Sequence, residues 1–249
     1  GVYSVSIEVE RQAGTMKVLD YTLPGARKDT LLLQAHNCHP YQANDGLSGC
    51  AVGIRVLQRL ALESKREYTY RLLICPELIG TVHWLFALQG EFSRITAACI
   101  LAACGNESPL RLQNSYLGNQ EIDHVARSVF HDRYGHYEEG PFRTIYGNDE
   151  TVFEAAGFEI PTISVTRYPF PQYHSNEDLP DRLSEYHLDD TVDTIFEICK
   201  RFDEGKRVLF TERGLICLSD PRYQLYRPAW NPALRHGPKD RETDRKSVV

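Results

Sequence analysis

A chain of 249 residues, 42% of them hydrophobic, carries enough apolar mass for a substantial core in one α/β domain. Its net charge of −6 excludes the overall basic field that nucleic-acid binding draws on, and no apolar run approaches the ~20 residues that span a bilayer. Seven cysteines, an odd number without regular spacing, exclude a disulfide framework, and no leader-like apolar stretch opens the sequence, so a soluble, cytoplasmic protein with reduced thiols is expected.

The elements follow in chain order. Val2 to Glu10 alternates apolar and polar residues and reads as a half-buried strand, which Ala13-Gly14 turns back into Met16–Thr22 as a β-hairpin. Leu31-Leu32-Leu33 is a short apolar strand. Ala51, Ile54, Leu57, Leu60 and Ala61 then repeat at helical spacing, with Ser48 as the candidate cap. Tyr70–Cys75 is a second apolar strand, followed by a helix from near Thr81 to Gly90. Ile95–Ala103 is a third. Ile122, Val125, Ala126 and Val129 mark a helix ended at Gly135, and Glu150–Ala156 a short one ended at Gly157. Ile160–Val165 is a fourth strand, and Leu188, Val192, Ile195, Phe196 and Cys199 mark the last helix. Unbroken apolar strands alternating with helices predict a three-layer α/β/α sandwich with a mixed, mostly parallel sheet. The domain is expected over residues 1–212, with a solvated extension over 213–249 where Arg and Lys mix with Asp, Glu and Pro.

In such folds ligands bind beyond the carboxyl ends of the strands. Three strands deliver polar residues there. The first runs into His36-Asn37-Cys38-His39-Pro40 and then Asn44-Asp45-Gly46; the second into Pro76-Glu77; the last into Tyr173-His174-Ser175 and Asp178. Neutral imidazole and carboxylate suit zinc, so His36 or His39 with Asp45 and His174 form a candidate ligand set with positions left open for water and substrate. Glu77 is the candidate general base, or itself a ligand. Asp149 and Glu150 read as the cap and first-turn acid of a short helix. Arg167 and Tyr173 flank His174 and are candidates for contact with substrate. His131, His136 and His236 read as ordinary surface or hydrogen-bonded residues.

In series, the motifs His-x-Cys-His-Pro, Ala-Asn-Asp-x-x-Ser-Gly, Pro-Glu-x-Ile-Gly, Asp-Glu before a Gly-x-x-x-Pro strand, and Tyr-His-Ser-x-x-Asp resemble the co-catalytic zinc aminopeptidases. The resemblance is strongest to a bacterial aminopeptidase-like branch catalogued as a domain of unknown function, and it runs from about Leu31 to Leu188. It implies a zinc-exopeptidase-like fold, one or two zinc ions, Asp45 in the place of a metal-bridging Asp and His174 in that of a late His ligand. The wider family's pattern favours His36 as the first ligand and the closer branch favours His39. Asp149 and Glu150 match a polar pair lining the family's cleft.

Three departures stand out. Pro76-Glu77-Leu78 offers one carboxylate where the family has adjacent Glu-Glu, Ala102–Asn106 lacks an expected Asp, and Cys38 stands where an Asp orients the His ligand. One zinc is therefore as compatible with the residues as two. The resulting expectation is a metallo-aminopeptidase-like hydrolase acting on small peptides or peptide-like conjugates. Beside it stand single-zinc glutaminyl-cyclase-like aminoacyl transfer, a metal-binding scaffold without turnover, and, last, a Cys38–His39 nucleophile. Neither nucleic acid nor membrane is an expected partner; a homo-oligomer is compatible with the sequence.

Overall fold

The computed structural model describes residues 1–205; the extension expected over 213–249 lies outside them. The strands are β1 (Leu19–Leu23), β2 (Thr30–His36), β3 (Thr69–Cys75), β4 (Ile95–Ala102), β5 (Arg111–Gln113), β6 (Glu138–Gly140) and β7 (Thr162–Thr166). They form one sheet in the order β1-β3-β2-β4-β7-β5-β6. β3, β2, β4 and β7 run parallel, as do β5 and β6, whereas β1 and β5 pair antiparallel with β3 and β7. The sheet is mixed and mostly parallel, as its composition predicts.

The helices are α1 (Gly49–Leu62), α2 (Ile79–Ala87), α3 (Glu121–Tyr134), α4 (Glu150–Phe153) and α5 (Glu185–Glu204). Strand alternation sorts them into two layers. Leu31 and Leu33 of β2, with Cys99 and Leu101 of β4, face one core shared with Val56 and Leu60 of α1, Phe130 of α3, and Ile195 and Phe202 of α5. Leu32, Leu73, Ala98 and Ile100 face the other core, against Trp84 and Leu85 of α2 and Phe153 of α4. Each of these leucines is fully buried and contributes about 1.5–3 kcal/mol through burial. Both faces of the central strands are covered, which is why they read as continuous apolar runs. Among the described residues no helix is long and apolar enough to cross a membrane.

Two expectations fail. The N-terminal hairpin does not form: residues 2–18 join no ladder, Val2, Tyr3, Val5, Ile7 and Val9 are all more than three-quarters exposed, and β1 pairs with β3 instead. Alternation specifies a strand only where a partner edge accepts it. Ser48 does not cap α1 by accepting from its backbone. Its hydroxyl donates to the Asn44 carbonyl (2.6 Å) and accepts the Cys104 N–H (2.8 Å), tying the loop after β2 to the end of β4.

Candidate metal centre

Because β2, β3, β4 and β7 are parallel, their carboxyl ends share one edge, and the candidate residues gather there. His36 closes β2. Asp45 follows in a single wide turn, Ala43–Ser48, that leads into α1. That turn is held from outside: the Asp178 carboxylate accepts the N–H of Asn44 (2.8 Å) and of Asp45 (3.0 Å). Gly46 is required by close approach, because a Cβ there would lie 2.6 Å from His36 Nε2. His174 sits in the loop after β7 with φ of +52°, a left-handed conformation costly for a non-glycine residue and characteristic of functional sites.

Asp45 is the centre of the arrangement. Its Oδ1 lies 2.9 Å from His36 Nε2 and accepts the Tyr146 hydroxyl at 3.4 Å. Its Oδ2 is buried, takes no hydrogen bond, and lies 3.0 Å from His174 Nε2. Burial alone would raise the carboxyl's pKa, but the His36 hydrogen bond and the charges of His36, His39 and His174 bring it below the usual carboxylate range. One ligand atom each from His36, His39 and Asp45 fall within 4.8 Å of one another. His39 packs beside both other imidazoles, with ring centroids 5.0 Å from His36 and 5.2 Å from His174. Its Nε2 is 4.0 Å from the Glu77 carboxylate. An anionic oxygen without a hydrogen bond, among imidazoles, fits a zinc ion in ligand type.

Cys38 does not take over the orienting role of an Asp behind His36. Its Sγ accepts the Glu77 N–H (3.2 Å) and lies 3.7 Å from His39 Nδ1. Burial and the charge of Glu77 raise the thiol's pKa, the opposite of an activated nucleophile. Residues 103–106 after β4 supply no carboxylate: the Gly105 N–H donates to the Asn44 side-chain oxygen, and the Asn106 side chain donates to it and to the Ala103 carbonyl.

Three of the four candidate substrate-binding residues turn out to be buried. Arg167 points away from the cleft, pairing with Asp190 of α5 and donating to the Ser108 carbonyl. The expectation of a substrate contact there is corrected, because every guanidinium direction is already used inside the fold. Arg167→Met is expected to destabilise the protein by about 2–3 kcal/mol in chemical denaturation, without changing its metal content. That is below the ~3–5 kcal/mol of a severed buried pair, since Asp190 keeps Arg133 and Tyr134.

Asp149 and Glu150 lie beneath the site with no exposed surface. Asp149 accepts from Gln34 (2.6 Å) and from the Leu78 N–H (2.7 Å), and Glu150 accepts the Asn148 N–H with both oxygens (2.9 and 2.8 Å). Burial pushes Asp149 up to about 6 and Glu150 up to about 7. From about pH 4.5 to 7 the folded chain thus holds protons that the unfolded chain releases, and these groups make stability fall as pH rises. Glu150→Gln is expected to flatten that fall, by on the order of 3 kcal/mol at neutral pH, in denaturation curves of both proteins across this range. Tyr173 alone of the four reaches the cleft, stacked on His174 at 3.9 Å between ring centroids.

Sequence reasoning passed over Asn148 and Tyr146 and left Asp178 without a role. Asn148 Nδ2 lies 3.0 Å from His36 Nδ1 and donates to the Tyr146 hydroxyl (3.3 Å). The one signal for them was position, just before the Asp149-Glu150 pair.

The match to known proteins is consistent with this geometry. Residues 6–205 match the model of DUF4910, a domain of unknown function. The chain belongs to that family. A Clostridium acetobutylicum protein named for polysaccharide biosynthesis and an aminopeptidase-like domain is 27% identical over 209 residues, covering 83% of this chain and 48% of its own length. A crystal structure from the same organism, described as a peptidase, superposes with a TM-score of 0.71 at 26% identity over 75% of this chain and 44% of its own. An aminopeptidase from Aneurinibacillus sp. strain AM-1 gives 0.67 at 18% identity (79% and 50% covered), and a glutaminyl cyclase from an Acidobacteriales bacterium gives 0.63 at 18% (76% and 74% covered). The last two share the fold. The chain spans about half the length of the Clostridium relatives.

Proposed function

We propose that this chain is a zinc-dependent hydrolase of amide bonds, an aminopeptidase acting on small peptides or peptide-like conjugates in the cytoplasm. The observation that carries the reading is Asp45, whose buried Oδ2 takes no hydrogen bond and faces imidazoles at the sheet edge where α/β folds bind ligands. A zinc ion held by Asp45 and the imidazoles beside it would supply Lewis-acid polarisation of the scissile carbonyl and lower the pKa of a bound water. The remaining work falls to the protein. Glu77 takes the proton of the attacking water and returns it to the leaving amine. Tyr173, stacked on His174, shapes the wall against which the substrate lies.

One observation favours a second reading. Residues 102–106, where the resemblance expects an Asp, carry no carboxylate, which suits a single metal and glutaminyl-cyclase-like transfer.

The test is metal content per purified chain, by elemental analysis, for wild type and His174→Ala, followed by assay of amino-terminal substrates. The aminopeptidase reading expects zinc that falls on substitution and a cleaved peptide bond. Release of ammonia from amino-terminal glutamine without cleavage marks the cyclase. No metal after reconstitution with zinc sinks both.

A further inference from the structure

We infer that the chain dimerises by strand exchange, with residues 2–10 of each copy lying parallel to β1 of the other. The inference stands apart from the zinc reading and uses none of its residues. β1 is an outer strand of the sheet, bonded to β3 on one side, and among the described residues no strand pairs with its other side. An open edge of this kind is a template for a further strand.

The two flanks of that edge differ in chemistry. Leu19, Tyr21 and Leu23 share one face of β1. On that face Leu19 and Tyr21 line an apolar groove with Ile54 and Leu57 of α1 and Leu72 of β3. Leu19, Tyr21 and Ile54 are left 47%, 54% and 44% exposed there. Asp20 and Thr22 point the other way, Asp20 to Trp84 of α2 (2.6 Å) and Thr22 into a hollow beside Arg71. Lys28 and Arg94, both exposed, also line the hollow, against a single acid, Glu91.

Residues 2–10 match both flanks. Tyr3, Val5, Ile7 and Val9, all more than three-quarters exposed, alternate with Ser4, Ser6, Glu8 and Glu10. Extended, they offer an apolar face to the groove and an acidic face to the basic hollow. Charge sets the direction. The hollow adjoins the Thr22 end of β1, so the glutamates belong at that end and the segment runs parallel to β1. Val5, Ile7 and Val9 then stand beside Leu19, Tyr21 and Leu23, with Ser6 beside Asp20 and Glu8 beside Thr22.

Parallel pairing makes the occupant a second copy. Parallel neighbours in one chain need a crossover of about a dozen residues or more. Here only residues 11–18 separate the segment from β1. The shortest hairpin within one chain that keeps the apolar faces together sets Val9 opposite Leu19 and Glu8 opposite Asp20, acid against acid. Exchange between two copies is reciprocal, so the same contact forms twice and closes as a two-fold dimer.

Sedimentation velocity of the full chain at micromolar concentration is the test. A species of twice the 28.5 kDa chain mass is expected for wild type. Ile7→Lys, which drives an ammonium into the apolar groove, is expected to leave monomer. Residues 2–18 belong to neither core, so this variant keeps the fold. Glu8→Lys with Glu10→Lys is expected to raise the dissociation constant at least about 10-fold, because each lost ion pair occurs twice in the dimer. Adding Lys28→Glu and Arg94→Glu to that chain is expected to restore the dimer. A monomeric wild type overturns the inference, whether the segment folds onto its own β1 or stays free. A dimer that survives Ile7→Lys, or a charge reversal that is not rescued, overturns it as well.

Discussion

Glu77→Gln is expected to leave zinc bound at wild-type stoichiometry while turnover falls by about 100- to 10,000-fold, the range a general base supplies. The expectation follows from how the carboxylate is delivered. β3 ends at Cys75, Pro76 breaks the extended backbone, and Leu78 turns the chain at φ of +58° into α2. Two hydrogen bonds pin this turn: the Leu78 N–H donates to buried Asp149, and the Glu77 N–H donates to Cys38 Sγ. The carboxylate is about a quarter exposed, with an oxygen 4.0 Å from His39 Nε2. It is beside His39, in a group with Cys38 whose ligand-type atoms lie within 4.8 Å of one another, so the metal count of the variant is what separates a base from a ligand. Kinetics on an amino-terminal substrate panel together with elemental analysis of the same protein gives the answer. A variant that loses zinc would make Glu77 a ligand and leave the proton to another group.

How much of this was legible in the sequence depended on how long each signal ran. The four central strands showed themselves because both faces are covered, so Leu31–Leu33 and Ala97–Ala102 are apolar without interruption. β5 and β6 are three residues each, too short for any period. The strand read over Val2–Glu10 had the right alternation but pairs with neither outer strand of the sheet. The residues that gather at the sheet edge were legible where a strand end meets polar residues, as at His36, Asp45, Glu77 and His174. Their supports were not, because a hydrogen bond over long separation leaves no local pattern. Asn148 reaches His36 across 112 residues, and Asp178 reaches Asp45 across 133. Arg167 was misread for the related reason that burial of a charge depends on a partner, Asp190, placed by a distant helix. The ambiguity between His36 and His39 was of this kind too. Spacing puts both at one strand end, and the surroundings of each ring are set by segments distant in sequence.

Asp45→Asn is expected to cost at least about 100-fold in zinc affinity while the fold survives. A structural zinc site is worth roughly 10–16 kcal/mol, so one ligand of four carries about 3 kcal/mol, a factor of more than 100. Removing the negative charge from among three imidazoles adds to this. The fold survives because the amide keeps an oxygen in the Oδ1 place, where it still accepts from His36 and Tyr146. The backbone N–H of residue 45 also still donates to Asp178. Only the Oδ2 side changes, where an NH2 would face His174 in place of a lone pair. Calorimetric zinc titration with thermal unfolding of the metal-free protein separates the two effects. Unchanged zinc affinity in Asp45→Asn would remove Asp45 from the centre. A collapse of metal-free stability would show that the carboxylate chiefly serves the buried network with His36, Tyr146 and Asn148. Retained stability with zinc lost assigns the two oxygens different work, Oδ1 to the fold and Oδ2 to the metal.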